Sequence, residues 1–141
     1  MKGISDQINE EKLKATVKRL FSKSVPRYFH HTISVVENMK KLIKGINDPE
    51  DETLLIASAY LHDIGYSETY GDDYVGNIKD QGIKIKLHSE RGAKIAERLL
   101  NDLGMRKAVI QKVAWMVSVH HREDVEDRHL KLLLEADKLP S

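Results

Sequence analysis

The sequence predicts an all-α fold, and three observations carry that prediction. Apolar residues recur at the three- to four-residue spacing of a helix through most of the 141 residues. Prolines and most glycines stand between these stretches, where helices begin and end. The alternation typical of a strand is confined to residues 83–87, a run too short to build a sheet. We therefore expect one domain, residues 1–141, built from about six helices.

The first three predicted helices are defined by their apolar stripes. The N-terminal helix covers about 10–23, and its stripe stops before Pro26. The second runs from about 28 to 44, where Gly45 and an Asn-Asp-Pro sequence break the pattern. The third, from about 50 to 64, is apolar on most sides. Such a helix is typical of the centre of a domain.

The stretch 65–87 differs from the rest of the chain, since it is rich in glycine and tyrosine and has no helical stripe. A connection of roughly 20 residues in a compact domain is usually functional, so we expect a long loop over a site. Helical pattern resumes at Ser89, which suits an N-cap, and stops at Gly104. Two more helices are indicated, one around 109–117 and one from about 128 to 139.

Composition excludes several classes of function. With 40% hydrophobic and 32% charged residues, the chain has the balance of a soluble globular protein. Its net charge of +1 provides no strong field for nucleic acid or an anionic membrane. No apolar run approaches a membrane span, and the N-terminus lacks the apolar segment of a signal peptide. Cysteine is absent, which excludes disulfides, thiolate ligands and cysteine nucleophiles. We expect a cytoplasmic protein.

Histidines and aspartates recur on the inward faces of five predicted helices. They are His31, His62 with its neighbour Asp63, His88, His120 with its neighbour His121, and Asp137. A single histidine on an apolar face is most often a satisfied core residue. An unpaired carboxylate in a core, however, costs several kcal/mol. A bound metal is a single cause that explains the polar residues on all five helices, because coordination removes the desolvation penalty of imidazole and carboxylate ligands.

The ligand types restrict the choice of metal. Histidine with carboxylate and without thiolate suits iron, manganese, zinc or cobalt. The candidates outnumber the usual ligands of one ion, so we expect two divalent ions, with Asp63 able to bridge them. Two other histidines receive no ligand role, since His30 lies off the ligand face and His129 looks solvated.

The sequence AYLHDIGY around His62 and Asp63 resembles the signature of the HD-domain superfamily of metal-dependent phosphohydrolases. The family pattern is an early helical histidine, the HD doublet and a late helical aspartate, in a helical bundle. The resemblance extends over about 27–139, and further histidines resemble those of the two-metal branch. It implies one ion held by His31, His62, Asp63 and Asp137, and a second held by the bridging Asp63 with His88, His120 and His121.

Two departures limit what the resemblance implies. The family often has a lysine after HDIG that can contact a substrate phosphate, whereas this chain has Tyr66. The GYP motif of the cyclic-dinucleotide phosphodiesterases is missing after His121. That substrate specificity is therefore not part of the prediction.

The activity that the resemblance implies is hydrolysis of a phosphate ester or phosphodiester, with a nucleotide as the expected small-molecule substrate. Two metal ions bridged by Asp63 would lower the pKa of a water that they share and generate the hydroxide that attacks phosphorus. Charged residues near the ligands in sequence are candidates for contacting the substrate. Besides Asp63, the catalytic candidates are Lys84 and Arg91, and the substrate-binding candidates are Arg27, Glu68, Arg122 and Lys138.

Two alternatives stay open at this point. HD-type di-iron oxygenases resemble this ligand set, although they usually have one histidine where this chain has His120 and His121. A non-catalytic module that binds metal or nucleotide would keep the same site without turnover. The sequence predicts neither a nucleic-acid nor a membrane partner, and it leaves the oligomeric state open.

Overall fold

The computed structural model describes residues 9–23, 26–67, 79–122 and 124–139. Within these ranges the all-α prediction is confirmed, since there are six α-helices and no strand. The elements are α1 (Glu10–Ser22), α2 (Arg27–Leu42), α3 (Pro49–Leu61), a short 3-10 helix (Ile64–Ser67), α4 (Gln81–Asp102), α5 (Lys107–Val119) and α6 (Arg128–Lys138). None of these helices is both long and apolar enough to cross a membrane.

The third helix lies at the centre because its residues are apolar on nearly every side. Every residue from Thr53 to Leu61 is buried, and α3 packs against α1, α2, α5 and α6. Its start is set by Asp48, whose carboxylate accepts hydrogen bonds from the backbone of Glu50 and Asp51. The chain leaves α3 at His62, which is fully buried. The HD doublet therefore begins in the interior of the fold.

The first helix is attached to α2 and α3 by an apolar stripe and one carboxylate. Leu13, Val17 and Phe21 are fully buried. At the start of α1, Glu10 accepts hydrogen bonds from the Tyr60 hydroxyl and the Lys40 ammonium, each at 2.7 Å. This packing buries the apolar stripe predicted for 10–23.

The fourth helix begins well before Ser89, so the predicted start and the predicted loop are both wrong in part. Asp80 is the N-cap and accepts a hydrogen bond from the Ile83 backbone at 3.0 Å. The alternating run 83–87 forms the first turns of α4, where its backbone groups pair within the helix, as a lone strand could not. Ser89 is buried inside α4. Residues 65–67 of the predicted loop belong to the 3-10 helix, and its residues 68–78 lie outside the described residues.

Other helix ends are close to their predicted positions. The third helix ends at Leu61 rather than near 64, because the chain turns into the 3-10 helix after the HD doublet. The predicted stop at Gly104 is confirmed, and its φ of +74° is a conformation that glycine adopts without strain.

Candidate metal centre

His62 is the most deeply buried residue of the centre. Its Nδ1 lies 2.8 Å from the carbonyl oxygen of Ala59, and since a carbonyl only accepts, Nδ1 carries the hydrogen. The ring's other nitrogen, Nε2, lies 3.2 Å from Asp63 Oδ2 and 3.4 Å from Asp137 Oδ1. In the neutral form of the ring, which is the form that binds metal, this nitrogen presents a lone pair to those oxygens. This Nε2 is buried and has no hydrogen-bond partner among the described residues. With the ring neutral, acceptor atoms converge at this point, and a bound cation would satisfy them.

A first group of three side chains forms around that nitrogen. His31, His62 and Asp137 each offer one atom, and these atoms lie within 4.8 Å of one another. Within the group, His31 Nε2 is 2.8 Å from Asp137 Oδ1. The side chain of His31 is 41% exposed and that of Asp137 is 32% exposed. The first group is therefore the more exposed part of the centre.

A second group consists of Asp63, His88 and His120. The Nε2 atoms of His88 and His120 lie 3.4 and 3.5 Å from Asp63 Oδ1. His120 follows α5 as His62 follows α3, and its Nδ1 likewise donates to a carbonyl three residues back, that of Val117, at 2.7 Å. Both histidines of this group are buried. The second group is thus more enclosed than the first.

Asp63 connects the two groups through its separate oxygens. Its Oδ2 faces His62 at 3.2 Å and His31 at 3.9 Å, whereas its Oδ1 faces His88 and His120. A carboxylate with one oxygen in each of two ligand groups has the placement needed to bridge two cations.

The charges of the centre favour a bound cation. Burial opposes ionisation of Asp63 and Asp137, but the neighbouring histidines outweigh it and lower both pKa values, that of Asp63 strongly. Burial also opposes a charge on His62, yet the two carboxylates raise its pKa well above the ordinary value. For His88, burial prevails and lowers the pKa. The ionised carboxylates therefore demand a positive charge among them, which a proton on His62 or a metal ion can supply.

The donor set fits divalent metal ions. Imidazole nitrogens and carboxylate oxygens without sulfur suit iron, manganese, zinc and cobalt. The hydrogen bonds from Nδ1 of His62 and His120 to backbone carbonyls orient the rings as the outer partners of metal-ligating histidines do. The two groups therefore fit the metal that the sequence predicts.

A glycine and a tyrosine hold His88 in place. A Cβ on Gly65 would lie 2.1 Å from the backbone oxygen of His88 and 2.8 Å from its Nδ1, so any larger residue would push α4 away. The ring of Tyr66 stacks on that of His88, with centroids 3.7 Å apart and planes at 20°. The position where the family often has lysine is thus packed against a candidate ligand.

Asn38 holds the chain around Asp137 in place, a role that was not predicted from the sequence. The side chain is buried, and its Nδ2 donates to the carbonyls of Ala136 at 3.1 Å and Leu139 at 3.4 Å. These carbonyls stand on either side of Asp137 along the chain. Its spacing in the sequence could have indicated this role, because Asn38 lies two helical turns after His31 on the same face of α2.

Comparison with known protein families shows which family the chain belongs to. The sequence matches the HD domain over residues 28–140, which includes both candidate groups. The chain belongs to the HD domain family. HD domains are mostly metal-dependent phosphohydrolases, and the family binds divalent metals. Comparison with curated proteins and with solved structures finds no match.

Three histidines of this HD domain have surroundings or helix positions that differ from those predicted from the sequence. His121 belongs to neither of the two groups and is exposed, with Nδ1 3.0 Å from the Ser89 hydroxyl. His88 lies within α4 and not just before the start of a helix, as the predicted start at Ser89 would place it. His129 is not solvated, because its side chain is only 12% exposed and its Nε2 lies 2.9 Å from Asp51 Oδ1. His30 is exposed.

The charged substrate candidates of the HD domain lie on several elements. Lys84 and Arg91 stand about one helical turn before and after His88 on α4, and Arg27 stands one turn before His31 on α2. The other described candidates are Lys138, which is exposed next to Asp137, and Arg122, which pairs with Asp124 at 2.8 Å. Glu68 lies outside the described residues.

Proposed function

We propose that this HD domain is a phosphohydrolase that uses two divalent cations to cleave a phosphate ester or phosphodiester. The proposal is supported by the placement of the Asp63 carboxylate. One of its oxygens faces histidines of the first group, and the other faces histidines of the second group. Two-metal hydrolytic sites hold their ions about 3.5–4 Å apart, a distance that one carboxylate can span.

In this proposal each candidate ligand has a defined role. His31, His62 and Asp137 would hold one cation together with Asp63, and His88 and His120 would hold the other, again with Asp63. Two such cations would supply a water nucleophile of lowered pKa and would neutralise charge on the phosphate oxygens. The neighbouring histidines keep the two carboxylates ionised, and burial keeps His88 neutral, which are the forms that bind metal.

The substrate enters, in this proposal, on the exposed side of the first group, beside His31. Lys84 and Arg91 lie on the helix face that carries His88, and Arg27 lies on the face that carries His31. These cations would bind phosphate oxygens that the metal ions leave free. A nucleotide substrate, a role for Glu68 or Lys138 and a cytoplasmic location stay predictions from the sequence.

Metal content and hydrolysis together test the proposal. The full chain is purified without chelator and without oxygen, its metal content per chain is measured, and phosphate release is assayed with Mn²⁺. The substrates are p-nitrophenyl phosphate, its bis-ester and a panel of nucleotides. We expect about two ions per chain and hydrolysis that requires metal.

A matched pair of variants makes the test specific. Asp63→Asn and Asp51→Asn each neutralise an aspartate that faces histidine, but only the first belongs to the candidate centre. We expect loss of metal and hydrolysis in Asp63→Asn alone. A wild-type chain that binds no manganese, iron or zinc would overturn the proposal, and so would a product that forms only with oxygen. A single ion per chain would refute the bridging role.

A further inference from the structure

A hydrogen bond outside both groups joins the residues that follow two candidate ligands. The Ser89 hydroxyl and His121 Nδ1 are 3.0 Å apart. Ser89 directly follows His88 within α4, and His121 directly follows His120 beyond the end of α5. The bond therefore connects the backbone next to one candidate ligand with the backbone next to the other.

The surroundings of this bond explain why it would matter. Ser89 is fully buried, so its hydroxyl requires a partner, and His121 extends from the surface to provide one. His120 is the C-cap of α5 and lies where the helical hydrogen bonds of that helix stop. Apolar packing between α4 and α5 has no directional preference, whereas a hydrogen bond restricts both distance and angle.

We propose that Ser89 and His121 are a positioning pair that sets the separation of His88 and His120 and thereby the cation affinity of the second group. The inference rests on the proposed two-ion centre. In this inference His121 is not a metal ligand, as the sequence resemblance implied, but holds the neighbouring His120 in position through Ser89. Partners of this kind typically change metal affinity by about 10–100-fold when they are removed.

Titration of the metal-free full chain with Mn²⁺ tests this pair without an activity assay. We compare the wild type, Ser89→Ala, His121→Ala and the double variant by calorimetry. Each single variant should weaken one of two binding events by about tenfold or more and leave the other nearly unchanged. The double variant should be no weaker than either single variant, because all three lack the same bond. His121→Asn, which can still hydrogen-bond to Ser89, should recover much of the affinity.

Ser58→Ala is the matched control for loss of a buried hydroxyl. Ser58 is also fully buried, but its hydroxyl donates to Leu55 within α3 at 2.8 Å. This variant should bind both ions as the wild type does. Circular dichroism of each metal-free variant checks that the fold is retained, so that weaker binding is not mistaken for unfolding.

The outcomes separate this inference from the proposed function. If both single variants titrate like the wild type, the positioning pair is wrong and the two-ion centre stands. If His121→Ala loses an ion while Ser89→Ala does not, His121 is a ligand and the pair is again wrong. If the wild type binds no second Mn²⁺, the two-ion proposal and this inference fail together.

Discussion

Two clusters of histidine and aspartate join α3 to α6, one at each end of the pair. At the beginning of the helices, Asp51 of α3 accepts hydrogen bonds from Arg128 and His129 of α6, both at 2.9 Å. At their carboxyl ends, His62 after α3 faces Asp137 of α6 at 3.4 Å. We call the first the pairing cluster and the second, with the rest of its groups, the metal centre.

The difference between the clusters lies in the balance of donors and acceptors. In the pairing cluster, a guanidinium and an imidazole N–H point at one carboxylate, so protein groups alone satisfy Asp51. In the metal centre, the N–H of His62 is used by a backbone carbonyl, and its other nitrogen faces carboxylate oxygens. The same residue types therefore form an ion pair in one place and a cation site in the other.

The largest expected effect comes from Asp63→Ala, which removes the oxygens shared by both groups. We expect metal content to fall to background and hydrolysis to drop by at least about 100-fold. Mutating a residue that only hydrogen-bonds to a metal ligand already costs up to about 100-fold in activity, and Asp63 is a candidate ligand itself. The far-ultraviolet circular dichroism spectrum should stay helical. Substantial hydrolysis by metal-depleted Asp63→Ala protein would refute the two-metal mechanism.

The second prediction concerns stability with and without metal. For each ion bound, Mn²⁺ at one hundred times the dissociation constant of its site should raise the free energy of unfolding of the wild type by about 2.7 kcal/mol. His129→Ala should show the same increase from a lower starting stability, because it damages only the pairing cluster. Urea unfolding with and without Mn²⁺ measures both quantities. An increase missing from His129→Ala would mean that the clusters are not independent.

The smallest expected effect comes from Asp51→Asn. It should lower the free energy of unfolding by about 1 kcal/mol, because one of its two partners, Arg128, lies largely in solvent, while metal content stays unchanged. Burial raises the pKa of Asp51, but hydrogen bonds from His129 and Arg128 outweigh it and hold the pKa below the ordinary 3.8. The stability from this lowered pKa is thus present above pH 3.8 and is lost as the pH falls through the lower pKa.

Unfolding of the metal-free wild type and Asp51→Asn across acid pH checks this sign. The difference between the two proteins should be constant near neutral pH and should shrink below about pH 4, where Asp51 gains a proton in the unfolded chain. A difference that grows with acid would contradict the assignment of the ion pair.

Much of the fold could be predicted because helical periodicity is a local property. It places His31, His62 and Asp137 on the same faces as neighbouring apolar residues, so their inward direction follows from spacing alone. The same local view mistook residues 83–87 for a loop or strand. It also took Ser89 for a cap, because an alternating run of five residues cannot distinguish a strand from the start of a helix whose cap, Asp80, stands further back.

The sequence by itself determined the helical class, the inward faces and the set of residues from which the centre is built. Only the tertiary structure decided which atoms meet: the two oxygens of Asp63 in separate groups, His121 on Ser89, and His129 on Asp51. The physical reason is that side-chain spacing along a helix fixes a direction from its axis. The partner at the end of that direction depends on how distant helices are placed and turned against each other, and no local pattern records that placement.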